Sequence, residues 1–312
     1  MEKISKYVDV LIDSGFKAVF GKPGYSEEIL KGFLNTVYKG EPNFDPIKSV
    51  TFSNTIQDPV PVRGKTIIHD VKCETNEGHR VILEMQRARK DDFLARSTYY
   101  TCRGVTDQVN LAVGSRPFKF DFLPVRSVYI CNFLLSGLER KLLSHYMFRD
   151  TDTGHFLDNG IRTAYVQLPM FDKTWDECEN KFEQWIYLMK NMHRLEEFPE
   201  KSLKDEVFAR LEKVASYANL TEAEQAVYEA DLRWMSEYDE EMATGRREAR
   251  AEGLAEGLAE GEAKGRAEGK AEGEKLQAWQ SARILFDKKM PWEFISEVTG
   301  LTITELKEKF LK

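Results

Sequence analysis

Apolar residues recur along this chain with distinct spacings, and each spacing marks a stretch. Ile29, Leu30, Phe33, Leu34 and Val37 fall three and four residues apart, which predicts a helix over 27–39, capped by Ser26 and ended by Gly40. Residues 47–52 then read as a strand. Two alternating runs, 65–74 and 79–86, predict the arms of a hairpin turned at Asn76-Glu77-Gly78, with Gly78 in the left-handed position. Helical spacing returns over 91–113, and strand patterns over 125–135 and 163–168. Helix, three strands, helix and strand in this order predict an α/β fold rather than a bundle.

The pattern changes after about residue 170. Trp175, Cys178, Phe182, Trp185, Leu188 and Met189 keep helical spacing, as do 203–217 and 221–242, the last opened by a Thr221/Glu224 capping box. From Ala251 six AEG-type units place Gly at 253, 257, 261, 265, 269 and 273. Each Gly costs a helix roughly 1 kcal/mol relative to Ala, and a four-residue repeat holds no steady apolar seam. A solvated, semi-helical spacer is expected there, with a small-residue contact between copies of the chain as the alternative. In the tail, Pro291, Gly300 and a Thr302/Glu305 box bound two short helices of helix-turn-helix appearance. The resulting division is 1–170 for the α/β core, 171–244 for a helical extension, 245–276 for the spacer and 277–312 for the tail.

Charge and cysteine usage narrow the function classes. The net charge is −7, yet residues 1–125 carry 18 Lys and Arg against 16 Asp and Glu, and the rest 27 against 36. A polyanion should prefer the N-terminal half. Apolar runs such as Val128-Tyr129-Ile130-Cys131 are too short to cross a bilayer, and the first residues lack the apolar centre of an export signal. Cys73, Cys102, Cys131 and Cys178 show no ligand spacing and read as reduced thiols. A cytoplasmic protein without membrane partners is expected.

The hairpin carries the chemistry. With Gly78 in the turn, residues whose numbers sum to 154 face each other, so Asp70 stands opposite Glu84, with Gln86 further along the same face. Two facing carboxylates repel. A divalent cation between them would make them compatible and could activate water for attack on a phosphodiester. The alternative is a solvated hairpin in which Lys72 or Arg80 neutralises the pair. Arg87, Arg89, Lys90, Arg96 and Arg103 follow within seventeen residues and are candidate phosphate contacts. Tyr99 and Tyr100 could stack on bases or pack in the core, and Gln108 could face the site.

Asp70, thirteen residues, then Glu84-Met85-Gln86 resembles the PD-(D/E)xK nuclease signature in its E-x-Q form. The surroundings resemble the bacterial recombination-promoting nuclease/transposase family, in DSGFKAVFG (13–21), ILKGFLNTV (29–37), IIHDVKCETNEGHRVILEMQ (67–86), FLARSTYYTCRGVTDQ (93–108) and LPVRSVYICNFLL (123–135). The AEG repeat and the TGLT-containing tail are also similar to the ends of such proteins. The resemblance implies a restriction-endonuclease-like core and a Mg²⁺-dependent (or Mn²⁺-dependent) DNA endonuclease acting in recombination or transposition. It implies a metal held by Asp70, Glu84 and the Met85 carbonyl, joined by an acidic residue of the first helix, here Glu28 (or its neighbour Glu27). Gln86 replaces the lysine of the signature. Its amide can orient water or phosphate but supplies no charge and is no general base. Two other readings stay open at this point: an RNA-cleaving nuclease, and a non-catalytic interaction protein that forms homo-oligomers through its helical C-terminal region.

Overall fold

Alternation builds the sheet, and its two faces recruit different partners. The structure, a computed structural model, describes residues 5–42, 44–53, 70–76, 78–112, 122–158 and 160–311. Residues 65–69 of the first predicted hairpin arm, and Glu77 in its turn, lie outside them. Strands β1 (Val50–Phe52), β2 (Val71–Thr75), β3 (Arg80–Gln86), β4 (Val125–Cys131), β5 (Leu143–Tyr146) and β6 (Ile161–Gln167) form one sheet in the order β1-β2-β3-β4-β6-β5. β3, β4 and β6 run parallel, and the flanking pairs are antiparallel. The β2–β3 register pairs Val71 with Leu83 and Glu74 with Arg80, as the turn geometry predicts, and Gly78 has φ +77°.

One face of the sheet builds the main core. Val81, Leu83 and Met85 of β3, Val128 and Ile130 of β4, and Ala164 and Val166 of β6 pack there. Against them lie α1 (Asp13–Phe20), α2 (Glu27–Tyr38), α4 (Lys181–Asn191) and α5 (Glu206–Ala215). Trp185 of α4 closes this layer, its ring centroid 4.9 Å from Phe208, 5.8 Å from Phe33 and 6.2 Å from Phe20. The predicted helix at 27–39 forms with its expected apolar face buried, and Gly40 follows at φ +98°. Ser26 differs from expectation: its Oγ accepts from the Lys22 amide, stabilising the turn before the helix instead of capping it.

The opposite face takes α3 (Phe93–Ala112), and hydroxyls hold it as much as apolar contact does. Thr101 Oγ1 donates to Ser127 Oγ at 2.9 Å, Tyr129 Oη donates to the Ser97 carbonyl at 2.6 Å, and Ser97 Oγ lies 2.7 Å from Tyr165 Oη. Buried hydroxyls are costly unless paired, so these bonds fix the rotation of α3 on the sheet. Gly104 marks the close approach: a Cβ there would stand 3.0 Å from both Ile82 Cδ1 and Val125 Cγ1.

α1 is an element that sequence periodicity does not announce. Its N-cap, Ile12, makes no capping bond, and it buries Gly15, Phe16, Val19 and Phe20. Gly15 sits where any side chain would collide, since an added Cβ would lie 2.1 Å from the Asp9 carbonyl oxygen. Gly15→Ala is therefore expected to cost about 2 kcal/mol or more and lower the melting temperature by at least about 4 °C. A melt within about 1 °C of the parent chain would show that this segment yields without strain.

Residues 1–235 and 236–312 form two separate compact units. Residues 171–235 contribute to the core of the first, through α4, α5 and the opening turns of α6 (Glu222–Asp287), where the Thr221/Glu224 box forms as predicted. The AEG repeat is wholly helical within α6, and its residues are exposed. The second unit has its own core of Ala282, Ile295, Leu301 and Leu306, formed by the end of α6 with α7 (Trp292–Thr299) and α8 (Ile303–Phe310). Gly300 takes the left-handed conformation, and Thr302 and Glu305 form their capping box. Among the described residues no helix is long and apolar enough to cross a membrane.

Candidate active site

Asp70 directly precedes β2, and continuing the observed register by one residue sets it opposite Glu84 in the middle of β3. The Asp70 carboxylate accepts a 2.7 Å bond from the Met85 amide, while the Asp70 main chain donates to the Glu84 carboxylate. Each acid is thus aimed by the backbone of the other's strand. Glu84 is only 3% exposed. Burial pushes both carboxyls well above the ordinary carboxylate range, and the charge of Glu84 raises Asp70 further.

Neither basic neighbour on the hairpin relieves this pair. Lys72 lies 3.9 Å from Asp107, which also binds Arg103 at 2.8 Å, and Arg80 Nε bonds Glu74 at 2.9 Å. The solvated hairpin neutralised by Lys72 or Arg80 is therefore not what the chain adopts. Two further cations act on the site: Arg96 of α3 on Glu84, and Lys17 of α1 on both Asp70 and Glu84. Asp13, a turn before Lys17 on α1, adds a third negative charge that acts on both carboxylates.

Of the proposed metal ligands, the structure brings Asp70 and Glu84 together, with Met85 between them. It does not bring Glu28 to them. Glu28 is half-exposed and bound to Lys31 on its own helix at 2.5 Å, and Glu27 accepts from the Gly24 amide. The first helix is α1, not α2, and its acid is Asp13, which is exposed, bonded to Lys17 and acts on the pair through its charge. An Asp and a Lys four residues apart in DSGFK were the available signal.

Among the described residues, no group of three or more His, Cys, Asp or Glu side chains is gathered for a metal. Two carboxylates nonetheless fit a hard divalent cation that keeps several waters and accepts phosphate oxygens, as Mg²⁺ does. The buried like-charge pair is the structural feature that such an ion would stabilise.

The basic residues after the hairpin divide by environment. Arg89 and Lys90 are exposed, with Arg89 Nη2 donating to Ser136 Oγ. Arg96 lies over the Tyr100 ring at 5.7 Å and bonds its hydroxyl. Arg87 is turned inward to Asp9 at 3.5 Å, and Arg103 is paired with Asp107 at 2.8 Å. Tyr100 joins the small core under α3, while Tyr99 is 43% exposed. Gln108 turns away from the site, its amide holding the main chain of Leu123 at both N and O.

No curated protein and no solved structure matches the chain. The sequence profile of the family described as PD-(D/E)XK nuclease family transposase matches residues 10–245, which takes in both carboxylates, all six strands and α1 to α5. With three quarters of its length so matched, the chain belongs to the PD-(D/E)XK nuclease transposase family.

Proposed function

We propose that this chain is a metal-dependent DNA endonuclease with a restriction-endonuclease-like core, hydrolysing phosphodiester bonds in recombination or transposition. The observation that carries this reading is the buried Asp70–Glu84 pair, held by reciprocal main-chain bonds and left to one side by Lys72 and Arg80. Asp70 and Glu84 would hold Mg²⁺ or Mn²⁺, with the Met85 carbonyl as a further donor. When bound, such an ion polarises the phosphate and lowers the pKa of its water. Gln86, at the end of β3, orients the attacking water or a phosphate oxygen through its amide. Arg89 and Lys90 contact the backbone of the duplex without reading its sequence. Cleavage by water would leave a 5′-phosphate and a 3′-hydroxyl.

The test is nicking of supercoiled plasmid by the purified full chain with Mg²⁺, Mn²⁺ or EDTA, beside structured and single-stranded RNA. Metal-dependent nicking of DNA, absent in EDTA, is the expected result. Cleavage of RNA alone would reassign the substrate. A folded chain inert on every substrate with either metal would refute the nuclease reading.

A further inference from the structure

Gln86 leaves the signature without a positive charge, and phosphoryl chemistry needs one. The phosphodiester brings one negative charge, and a second develops as the nucleophile adds. With Asp70, Glu84 and Asp13 ionised, a divalent cation and Arg96 bring the site only to neutrality, and the charge of the phosphate is left unopposed. Some side chain must oppose this.

α1 is bracketed by the two strands that carry the signature. At its start, Asp9 binds Arg87, the residue after Gln86, at 3.5 Å, and the Asp9 carboxylate accepts the Leu11 amide at 2.8 Å. At its end, a Cβ on Gly21 would lie 3.5 Å from Val71 Cγ2, next to Asp70. A helix of eight residues spans about 12 Å, so α1 reaches from the end of β3 to the beginning of β2, the strand ends next to Glu84 and Asp70, and the charge of its Lys17 acts on both carboxylates. Its buried face is Gly15, Phe16, Val19 and Phe20, which leaves Asp13 and Lys17 on the other side. The Lys17 ammonium lies 2.7 Å from Asp13 Oδ2, and its side chain is 40% exposed. Arg96, the other cation of the site, is fixed on Tyr100 by a hydrogen bond and by its ring. Lys17 has a flexible stem and, among the described residues, an exposed partner in Asp13, so it is a cation able to follow a substrate.

We propose that Lys17, from the first helix, is a catalytic residue that supplies to the scissile phosphate the positive charge that Gln86 lacks. This rests on the nuclease reading above. Lys17 exchanges its exposed partner Asp13 for a non-bridging phosphate oxygen, and its charge counts most as the transition state forms. The effect should therefore fall on kcat more than on KM.

The experiment compares the full chain with Lys17→Ala, Lys17→Arg, Lys17→Ala combined with Gln86→Lys, and Lys22→Ala. Lys22, whose ammonium binds Glu224 at 2.7 Å, removes the same charge from beyond the helix. Lys17→Ala is expected to lower kcat about 100-fold. Lys17→Arg should keep activity within about tenfold, and Gln86→Lys should return at least about tenfold to the alanine variant. Lys22→Ala should stay within about threefold. The rise in melting temperature on adding Mg²⁺ should persist in Lys17→Ala, because the lysine is no ligand. Activity of Lys17→Ala within about threefold of the parent would overturn the assignment alone, since the parent still cuts. A loss that neither Arg nor Gln86→Lys repairs, a loss shared by Lys22→Ala, or a vanished Mg²⁺ response would also overturn it. An inert parent chain would instead strike at the nuclease reading, and the role of Lys17 would fall with it.

Discussion

Asp70→Asn is expected to eliminate the proposed metal-dependent cleavage, by about 1,000-fold or more, and at the same time to make the metal-free protein melt higher. The first effect follows from removing one of two anionic ligands. The second follows from burial. The metal-free fold holds Asp70 with its carboxyl pushed up to about 8, chiefly by desolvation and then by Glu84. The unfolded chain ionises it near 4. Between those values the folded state binds more protons than the unfolded one, so the stability of the metal-free protein falls as pH rises from about 4 to about 8. An amide cannot ionise, yet its carbonyl oxygen can still accept from the Met85 amide. Asp70→Asn should therefore gain about 2 kcal/mol at pH 8, or some 4–8 °C, and little at pH 4. Mg²⁺ should raise the melting temperature of the parent at pH 8 and leave the variant unmoved. Calorimetry at both pH values, with and without Mg²⁺, checks all of this. A variant that melts lower than the parent at pH 8 would mean that the pair is not strained by its own charge.

Much of this site was legible in the sequence because a turn fixes a register. Once Gly78 occupies the left-handed position, alternation leaves no choice about which residues face one another, and Asp70 meets Glu84. α2 was legible because its five apolar residues trace one stripe. α1 was not, since eight residues with an uncapped start and a glycine inside cannot form a helix unaided. Tertiary packing of Phe16, Val19 and Phe20 makes it, and the packing is invisible to periodicity. That omission is why Glu28 stood as the acid of the first predicted helix. β5 was missed for a related reason: Leu143–Tyr146 has four half-buried or exposed positions and no alternation. The AEG repeat erred in the other direction. Its glycines argued for partial helix, whereas the chain runs helical through all of them, carried by three good helix formers in each unit.

Charge in the main core was the least legible feature, and it sets the second large expected effect. Arg126 and Arg162 stand side by side on β4 and β6, at the beginnings of strands whose far ends carry Tyr129 and Gln167. Alternating patterns place such residues on a solvated face, yet both side chains are only 5% exposed. Glu41, at 1% exposure, serves both: Arg162 Nη1 lies 3.0 Å from its Oε2 and Arg126 Nη1 3.9 Å. The aromatic rings of Tyr38 and Phe44 cover Arg126, and that of Phe156 covers Arg162. Glu41→Gln would keep the shape but leave two buried guanidinium groups, with half-exposed Asp158 beside Arg162 as the anionic partner that remains among the described residues. A loss of about 3–5 kcal/mol is expected, a drop of roughly 10 °C in melting temperature. Replacing Glu41, Arg126 and Arg162 together by Leu, Met and Leu should recover most of it, because the cost lies in unpaired charge rather than in lost attraction. Glu84 and Gln86 pair with Tyr129 and Cys131 at the other end of the parallel strands. Below its melt, Glu41→Gln should thus cleave at the parent rate, separating this cluster from the chemistry. Equal melting of Glu41→Gln and the parent chain would show that the two arginines are solvated by another route.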